Sequence, residues 1–506
     1  MEKSTRNSCD QDALVIARGA GIVLFGAAAG NMLRYAGHVL AGRYLGPEIF
    51  GLLVLGLTIM SASAVIAELG FSSGMVRYVS LYRGMGDVRR LKGTMRLGSG
   101  IGLISGLVAA AILFWAAPTL AVRVFKAPEL IPVLRVLCGV LPFLTLTSVF
   151  AYILQGLKAL VEKVFIKDLF DSSLKIVLIG LVVLVDGKLK GILLSYLAAG
   201  VTAVILARLC LKRLESGLFS GETEPIYEAR KLFRFSWPMI FVQIIGHLLL
   251  ATDTFMLGLL RSPEDVGIYG AAQKTALLCG MVLNAFLAVF APVMADHINR
   301  KNREETQILY KLVSKWSFSL TVPLSLLLMV SPRPITRVFG ADFEPASLAL
   351  SVLAAGWLFH SLLGCAGTLL TMSGRSKLHL LNFACLFFGN IVLNGILIPR
   401  FGILGAALAT ALTIVLVDIL TVAEVRILFR MSPFRTDIWK PLAAGIFSAA
   451  LVHLLTTRLV IGNNAWHVVV SACVLIGLYP LVIIGLGIAD EDRLVIARVL
   501  RKIKGK

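Results

Sequence analysis

The chain has 506 residues, of which 58% are hydrophobic and only 15% are charged. Soluble globular domains are nearer roughly 45–50% apolar with about 25% charged residues, so the composition argues against an ordinary soluble protein. The formal net charge is +20. This charge does not indicate a nucleic-acid partner, because the Lys and Arg residues lie mostly in short loops between apolar runs.

The apolar residues occur in runs of about 20, the length that a helix needs to cross a hydrocarbon core. In lipid, a helix satisfies its own backbone donors and acceptors. We therefore predict an all-α polytopic membrane protein of about fourteen transmembrane helices. In chain order, the helices are predicted at 17–41, 49–68, 95–117, 132–156, 164–185, 190–210, 235–260, 266–291, 312–331, 346–372, 378–399, 402–428, 440–459 and 466–488.

The longest polar stretch, between Leu211 and Lys231, separates two sets of six predicted helices. It predicts an N-terminal six-helix bundle at 1–215, a C-terminal six-helix bundle at 232–430 and two additional helices at 438–490. With a cytoplasmic N-terminus, Lys and Arg are about three times as frequent in cytoplasmic segments as in the opposite ones. We therefore expect a multi-pass protein of the cell (inner) membrane with both termini in the cytoplasm.

The two sets of six helices resemble each other at an offset of about 214 residues, which indicates an internal repeat. Pro47–Gly51 corresponds to Pro263–Gly267, and Gly191 corresponds to Gly402. An even number of helices per copy gives a parallel repeat, whose axis lies along the membrane normal. Transporters built in this way bind their substrate between the halves. Coincidental similarity between apolar helices is the alternative.

Several stretches resemble the polysaccharide flippases of the multidrug/oligosaccharidyl-lipid/polysaccharide exporter superfamily, and the likeness spans nearly the whole chain. The most specific stretches are Ala41–Gly51, Glu68–Tyr78, Thr252–Gly258, Val266–Lys274 and Gly402–Ala407. The resemblance implies two pseudo-symmetric six-helix bundles around a central cavity, often with two extra C-terminal helices. It also implies that the cargo is an oligosaccharide on a polyprenyl pyrophosphate.

Charged residues inside predicted membrane helices are candidates for function, because a charge at the bilayer centre is unfavourable. Arg34, Lys175 and Lys274 are predicted to face the cavity and hold the pyrophosphate, with His38 one turn after Arg34 on the same face. Asp253 is expected to pair with Lys274 or to bind a coupling cation. The alternative is that these charges form structural ion pairs, such as Asp171 with Lys175.

Other polar side chains in the predicted helices favour interhelical hydrogen bonds, which are their common role in membranes. Asn390 and Asn394 are nevertheless included among the predicted cavity residues because they lie one turn apart. His360 is a lone histidine on its helix. Asp418 and Glu424 approach the end of another helix and are possible proton sites. Glu68 and Arg77 are placed near a cytoplasmic helix end, as anchors or gates.

Three functions remain open from the sequence. The first is a transporter, not an enzyme, that flips a lipid-linked oligosaccharide between leaflets by alternating access. Its expected partners are that substrate, membrane lipids and polysaccharide-assembly proteins, with no nucleic acid. The alternative is a cation-coupled multidrug exporter, and a membrane-embedded polymerase or glycosyltransferase is disfavoured by the short outward loops. No metal site, nucleotide-binding loop or cofactor is predicted beyond a possible coupling Na⁺ or H⁺.

Overall fold

The computed structural model of the chain describes residues 2–214, 224–299, 303–458 and 464–487. These residues are almost entirely helical and contain no strand, which confirms the predicted all-α class. Part of the predicted boundary stretch, residues 215–223, lies outside the described residues, as does the end of the predicted domain 438–490.

The helices closely follow the predicted runs. Those of the first 214 residues are α1 (Glu2–Ala67), α2 (Phe71–Gly84), α3 (Val88–Pro118), α4 (Leu130–Cys138), α5 (Leu141–Gly156), α6 (Leu160–Val164), α7 (Asp171–Leu184) and α8 (Lys188–Leu214). Two π-helical turns, Thr119–Val124 and Phe165–Phe170, follow α3 and α6.

The remaining helices are α9 (Ala229–Leu260), α10 (Pro263–Asn299), α11 (Arg303–Val330), α12 (Pro332–Thr336), α13 (Ala346–Leu363), α14 (Cys365–Met372), α15 (Ser376–Phe401), α16 (Ile403–Phe429), α17 (Trp439–Arg458) and α18 (Asn464–Gly485). A short 3₁₀ turn, Ala341–Phe343, precedes α13.

Breaks within helices are the main departure from the predicted pattern. Inside α1 the chain leaves helical geometry at Gly46 (φ 74°, ψ 170°), which separates the first two predicted helices. Glycine adopts such a conformation without the clash that a Cβ would cause. The predicted helix at 132–156 is two helices, α4 and α5, bent by 45°. Helix α2 is absent from the predicted set, because its charged residues Arg77 and Arg83 interrupt the apolar run.

Nine helices in the described part of the chain are long and apolar enough to cross a membrane, or up to eleven if each bent pair counts as one span. The chain is therefore a multi-pass membrane protein. The predicted count of fourteen transmembrane helices stays a prediction, because two of the predicted spans are too short in the structure to cross a membrane. The span at 164–185 is divided between a π turn and the 14-residue α7, and Trp439–Leu455 is a shorter apolar helix.

The chain divides into two compact units. Unit 1 comprises Met1–Lys274 and Phe383–Thr410, and unit 2 comprises Thr275–Asn382 and Ala411–Lys506. This division does not test the predicted domain boundaries at 215, 232 and 430, which stay predictions. The boundaries of the units fall inside α10, α15 and α16, so each of these three helices contributes to both units.

Each unit contains its own clusters of buried apolar side chains. In unit 1, Phe71 and Met75 of α2 pack with Ile153 and Leu154 of α5. In unit 2, one cluster surrounds Tyr310 and Leu369, and a second contains Val322 of α11, Ala444 of α17 and Tyr479 of α18. Since lipid tails are as apolar as these side chains, close van der Waals packing stabilises the clusters more than exclusion of water does.

A reciprocal close contact within unit 1 joins the two copies of the sequence repeat. A Cβ on Gly51 would overlap the carbonyl oxygen of Pro263, and a Cβ on Gly267 would overlap the carbonyl oxygen of Pro47. Gly51 and Gly267 are equivalent in the repeat, as are Pro47 and Pro263. Contacts exchanged in this way between equivalent residues are the signature of a twofold relation. Glycine is required at both positions because only backbone fits.

Candidate functional site

A cavity of about 290 Å³ lies within unit 1 between α1, α5, α7, α8 and the start of α10. Apolar side chains form most of its wall. Its polar lining consists of Arg34, His38, Thr58, Ser61, Ser172, Lys175, Tyr196 and Lys274. Four of the seven predicted site residues, Arg34, His38, Lys175 and Lys274, therefore lie together around one space.

Arg34 reaches the cavity from α1, and its guanidinium is only partly neutralised. Its Nη1 lies 3.4 Å from a carboxylate oxygen of Asp168 and 3.4 Å from the hydroxyl of Ser172. Its Nη2 donates to the side-chain oxygen of Asn31 on the same helix. Its side chain keeps 40% of its accessible surface, so donor capacity remains.

Lys175 projects from α7 and forms the predicted ion pair with Asp171 one turn earlier. The ammonium nitrogen lies 2.6 Å from the carboxylate. The same nitrogen lies 5.2 Å from the centre of the Tyr196 ring, a distance at which a cation is attracted to the ring face. Both interactions hold the side chain at the cavity wall. Lys175 therefore contributes less free positive charge than Arg34.

Lys274 contributes the least compensated cation. It lines the cavity from α10, and within the described residues its ammonium takes part in no hydrogen bond or ion pair. The expected pair between Lys274 and Asp253 is not formed in this structure. Three basic side chains of the cavity thus face two bonded carboxylates, those of Asp168 and Asp171. With histidine neutral, the group has an excess of one positive charge.

Neutral polar groups complete the cavity. Nδ1 of His38 is buried and makes no hydrogen bond among the described residues. The hydroxyl of Ser61 lies 3.1 Å from Nε2 of His247, which belongs to α9. A buried polar atom without a partner is unfavourable, since the lost hydrogen bond to water is not replaced. His38 is therefore positioned to bond a ligand in this cavity.

Asp253 lies in a separate, fully enclosed network of unit 1. One carboxylate oxygen accepts hydrogen bonds from the hydroxyls of Tyr269 and Thr410, each at 2.5 Å. The other accepts from the amide of Asn394 at 2.9 Å, and that amide also donates to Asn390 at 2.9 Å. Asp253 is 3% exposed and Asn394 is 0% exposed. Asn390 and Asn394 are not part of the lining of the cavity described above but bond within the Asp253 network, and their predicted role in substrate binding stays a prediction.

The Asp253 network is built mainly from oxygen atoms. The carboxylate is contacted by the hydroxyl oxygens of Tyr269 and Thr410 and by the amide nitrogen of Asn394, which also bonds the side-chain oxygen of Asn390. The oxygen Oδ1 of Asn394 is buried and accepts no hydrogen bond in the described part of the chain. Carboxylate and carbonyl oxygens are the ligands that hard cations prefer. The network is therefore chemically suited to a small cation or a proton.

The sequence pattern misses several members of these sites, among them Tyr269, Thr410 and Tyr196. Tyr269 lies on the same helix as Lys274, within the stretch Val266–Lys274 that carries the family resemblance, so its place in that stretch is the one signal that could have found it. Nothing in the spacing of Thr410 distinguishes it from other hydroxyl residues of apolar helices. Such a residue can be assigned to a site only when the structure shows that it contacts a charged side chain of a neighbouring helix.

Unit 2 has its own polar contacts inside apolar helices. Nδ1 of His360, the one histidine of α13, lies 2.7 Å from a carboxylate oxygen of Asp418. The amide of Asn382 donates to Glu424 at 2.7 Å. These contacts link α13 to α16 and the early part of α15 to α16.

Comparison with protein families gives two matches. A family model described as polysaccharide biosynthesis protein matches residues 16–297. A second model, described as MatE, matches residues 238–396. The first match covers more than half of the chain.

Individual proteins are only distantly similar. A probable low-salt glycan biosynthesis flippase of Haloferax volcanii, Agl15, is 26% identical over 37% of this chain and 39% of its own length. The chain spans between 39% and 62% of the curated relatives that it matches.

Among solved structures, the lipid II flippase MurJ in an inward closed conformation matches with a TM-score of 0.69 and 16% identity, over 91% of this chain and 97% of that one. An inward-facing multidrug resistance MATE family transporter of the MOP superfamily matches with a TM-score of 0.67 and 14% identity, over 81% and 98%. At these identities the likeness shows a shared fold of helical membrane transporters.

Proposed function

Because this chain belongs to the polysaccharide biosynthesis protein family, we propose that it flips an oligosaccharide linked to a polyprenyl diphosphate from the cytoplasmic to the outer leaflet by alternating access. The names of its relatives support a glycan cargo, since one is a probable glycan biosynthesis flippase and another is a lipid II flippase. In this proposal, the protein is a transporter that leaves the cargo chemically unchanged.

The observation that carries the proposal is the uncompensated positive charge in the cavity. A diphosphate is a compact dianion or trianion with many acceptor oxygens, and a cation inside an apolar wall attracts it more strongly than in water. Lys274 has no competing anion among the described residues. Arg34 offers a planar donor fork that suits phosphate oxygens. The neutral donors nearby, Ser172 and His38, complete a phosphate-binding surface.

The same charges disfavour the rival function of multidrug export. A transporter of cationic drugs needs a carboxylate that is free to meet the drug. Here Asp168 and Asp171 are bonded to cavity cations, and Asp253 is enclosed by neutral donors. Since the cavity presents net positive charge, it repels cationic drugs and attracts an anionic lipid head group.

The proposed energy source is a Na⁺ or proton gradient that acts through Asp253. The enclosed carboxylate and the unpartnered oxygen of Asn394 supply oxygen atoms for one small cation. Binding there would neutralise a buried charge, which is unfavourable in the membrane interior when left uncompensated. Asp253→Asn should then abolish stimulation by the gradient while leaving binding of a diphosphate in the cavity unchanged.

The proposal also covers location and partners. The protein is proposed to lie in the cell membrane with both termini in the cytoplasm, where the cargo is assembled. Membrane lipids and the lipid-linked oligosaccharide are its partners, and polysaccharide-assembly proteins would receive the cargo. Labelling of single cysteines introduced into the loops with a membrane-impermeant reagent tests the orientation.

The direct test uses proteoliposomes that contain the full-length protein and a short-chain polyprenyl diphosphate carrying a fluorescent oligosaccharide. Flipping is measured as the fraction that an impermeant quencher reaches. Lys274→Ala should slow flipping about tenfold or more, since a charged hydrogen bond contributes roughly 1.5–3 kcal/mol. Lys274→Arg should retain much of the rate, because it keeps the charge.

Lys190→Ala provides a matched control, because this lysine is exposed at the start of α8 and lies outside the cavity. An unchanged rate in Lys274→Ala would contradict the cavity assignment. Mass spectrometry of the recovered lipid separates flipping from glycosyl transfer. A change in the mass of the oligosaccharide would reject the transporter and favour the enzyme.

A further inference from the structure

Unit 2 holds a titratable pair that belongs neither to the cavity nor to the Asp253 network. Nδ1 of His360 on α13 lies 2.7 Å from Oδ2 of Asp418 on α16. Both helices are apolar and long enough to cross a membrane. Asp418 lies near the middle of the 27-residue α16. A charged pair at this depth is a candidate for function, because polar groups inside the membrane are otherwise unfavourable.

The surroundings of His360 hold its ring in place. Gly364 follows one turn later, where α13 ends, and a Cβ at this position would lie 2.9 Å from Cε1 of the imidazole. The absence of that atom leaves room for the ring. On its other side the indole of Trp357 meets the imidazole edge to face, with 5.4 Å between the ring centres. The contact with Asp418 is therefore part of a packed arrangement.

The position of the hydrogen follows from the chemistry of the two partners. An ionised carboxylate only accepts hydrogen bonds, so Nδ1 of His360 carries the hydrogen that Asp418 accepts. The second nitrogen, Nε2, then has a free lone pair. It makes no hydrogen bond within the described residues, and the His360 side chain keeps 29% of its accessible surface against 12% for Asp418. An incoming proton therefore binds at Nε2.

The other titratable groups around the pair do not compensate the charge of Asp418. Tyr310 on α11 and Cys365 on α14 interact electrostatically with Asp418. Tyrosine and cysteine are neutral near pH 7, because their ordinary pKa values are about 10 and 8.5. Cys279 on α10 accepts a hydrogen bond from Ser325, and Glu424 on α16 accepts one from Asn382.

No Lys or Arg of the described residues forms an ion pair with Asp418. Lys315 on α11 instead pairs with Asp437 at 2.5 Å. The pair of His360 and Asp418 therefore carries one net negative charge when Nε2 is unprotonated and no net charge after one proton binds. Burial of a net charge in an apolar interior is unfavourable, so the arrangement favours uptake of a proton.

We propose that His360 and Asp418 form a proton-binding site in unit 2, which takes up one proton at Nε2 of His360. The proton would act as a second coupling ion for flipping, separate from the cation at Asp253. Only this role in transport rests on the proposed function. The site itself is defined by the contact of the two side chains and can be tested without any cargo.

The first experiment follows the emission of Trp357, because a protonated imidazole quenches a neighbouring indole. The full-length protein in lipid nanodiscs is titrated between about pH 8 and pH 5, the range in which histidine changes its charge. The signal of Trp357 is the difference between the wild type and Trp357→Phe. We expect this difference to decrease along a single titration curve. When both proteins also carry His360→Gln, the same difference should be independent of pH.

Two further variants make the result specific. His379→Gln removes another histidine of unit 2, whose ring lies against Gly367, and should leave the titration curve unchanged. Asp418→Asn keeps the size of the side chain but removes its charge, and should displace the midpoint. A pH-independent signal in the wild type overturns the proposal even if a variant fails to fold. An unchanged curve in His360→Gln or an unchanged midpoint in Asp418→Asn also overturns it.

The second experiment measures flipping in proteoliposomes with and without a pH difference across the membrane. The wild type should be stimulated by the pH difference, and His360→Gln should lose that stimulation while flipping at its unstimulated rate. Equal stimulation in both proteins rejects the coupling role. If the wild type does not flip the cargo at all, the proposed function fails, whereas the titration of Trp357 still decides the proton site.

Discussion

The two polar sites of unit 1 hold opposite charges in different ways. In the cavity, Lys274 and part of Arg34 face open space, and the excess charge is positive. Around Asp253, the carboxylate is 3% exposed and every oxygen is bonded to a neutral donor. A cation that faces a cavity is available to a large anionic ligand. A carboxylate enclosed by hydroxyls and amides admits only a ligand as small as a single ion.

The two sites should also differ in how much their charged side chains contribute to the free energy of unfolding. Removal of a cation that has no protein partner takes little from the folded state, whereas removal of an enclosed carboxylate leaves several buried donors without an acceptor. Variants of the cavity should therefore change transport more than unfolding. Variants of the Asp253 network should change both.

The largest effect is expected from removal of the two least compensated cations of the cavity. Arg34→Ala combined with Lys274→Ala should lower the flipping rate at least about 100-fold, since two charged hydrogen bonds of roughly 1.5 kcal/mol each are lost. Insertion into the membrane should be unaffected. The proteoliposome assay measures the rate, with Lys190→Ala as the control. Full activity of the double variant would show that the cavity does not bind the cargo.

A loss of stability is expected from Asp253→Ala. Tyr269, Thr410 and Asn394 would lose their common acceptor, which should lower the free energy of unfolding by about 2–5 kcal/mol. Asp253→Asn should lose less, because its amide oxygen still accepts hydrogen bonds. Thermal unfolding of the purified protein in detergent measures both. If Lys274→Ala proves as destabilising as Asp253→Ala, the contrast between the two sites is not real.

A gain in affinity tests whether charge controls binding in the cavity. Asp168→Asn removes the carboxylate that lies 3.4 Å from Arg34 and raises the net positive charge of the site. Binding of a soluble short-chain prenyl diphosphate should become a few-fold tighter, which corresponds to less than about 1 kcal/mol. Calorimetry in detergent measures the affinity. Asp186→Asn, whose carboxylate bonds Tyr44 outside the cavity, is the control, and weaker binding by Asp168→Asn would reject the electrostatic model.

The smallest effect is expected for Glu228, a half-buried carboxylate in the segment before α9. Glu228, which precedes α9, accepts hydrogen bonds from Lys231 and then from Tyr82, and these lower its pKa below the ordinary value. Its contribution to stability is therefore present above the unfolded pKa of about 4.5 and is lost as the pH falls through the lower folded value.

Glu228→Gln should accordingly change the free energy of unfolding by less than about 1 kcal/mol near pH 7, because its partner Lys231 is exposed to water, which weakens the ion pair. It should also flatten the pH dependence of unfolding on the acid side. Thermal unfolding as a function of pH measures both quantities. A loss as large as that of Asp253→Ala would show that burial does not distinguish the two carboxylates.

The positions of most helices follow closely from local hydrophobicity, and the predicted helices that differ from the structure do so for local reasons. Helices such as α8, α16 and α17 end within a few residues of the predicted positions, because lipid requires a continuous apolar helix. The predictions are less successful where the helix is interrupted. The break between α13 and α14 at Gly364 lies inside an apolar run, so hydrophobicity carries no sign of it.

The candidate site could be predicted only in part. Arg34, His38, Lys175 and Lys274 are recognised because a charge or a histidine in an apolar helix is conspicuous. The pair of Lys175 and Asp171 follows from their spacing of one turn. In contrast, Asp168 beside Arg34 and Asn394 beside Asp253 are contacts across helices, separated by 134 and 141 residues. The pair of Lys274 and Asp253, one of the two roles predicted for Asp253, is not formed in this structure.

The sequence by itself determined that this chain crosses the membrane many times, that its two sets of helices are related and that a few charges lie in the apolar layer. These properties depend on the solvation of each segment, which a helix in lipid settles alone. Only the tertiary structure decided which charges meet. The partner of Arg34, Asp253 or His360 depends on which helices are neighbours and how each is rotated about its axis, and no local pattern of hydrophobicity contains that information.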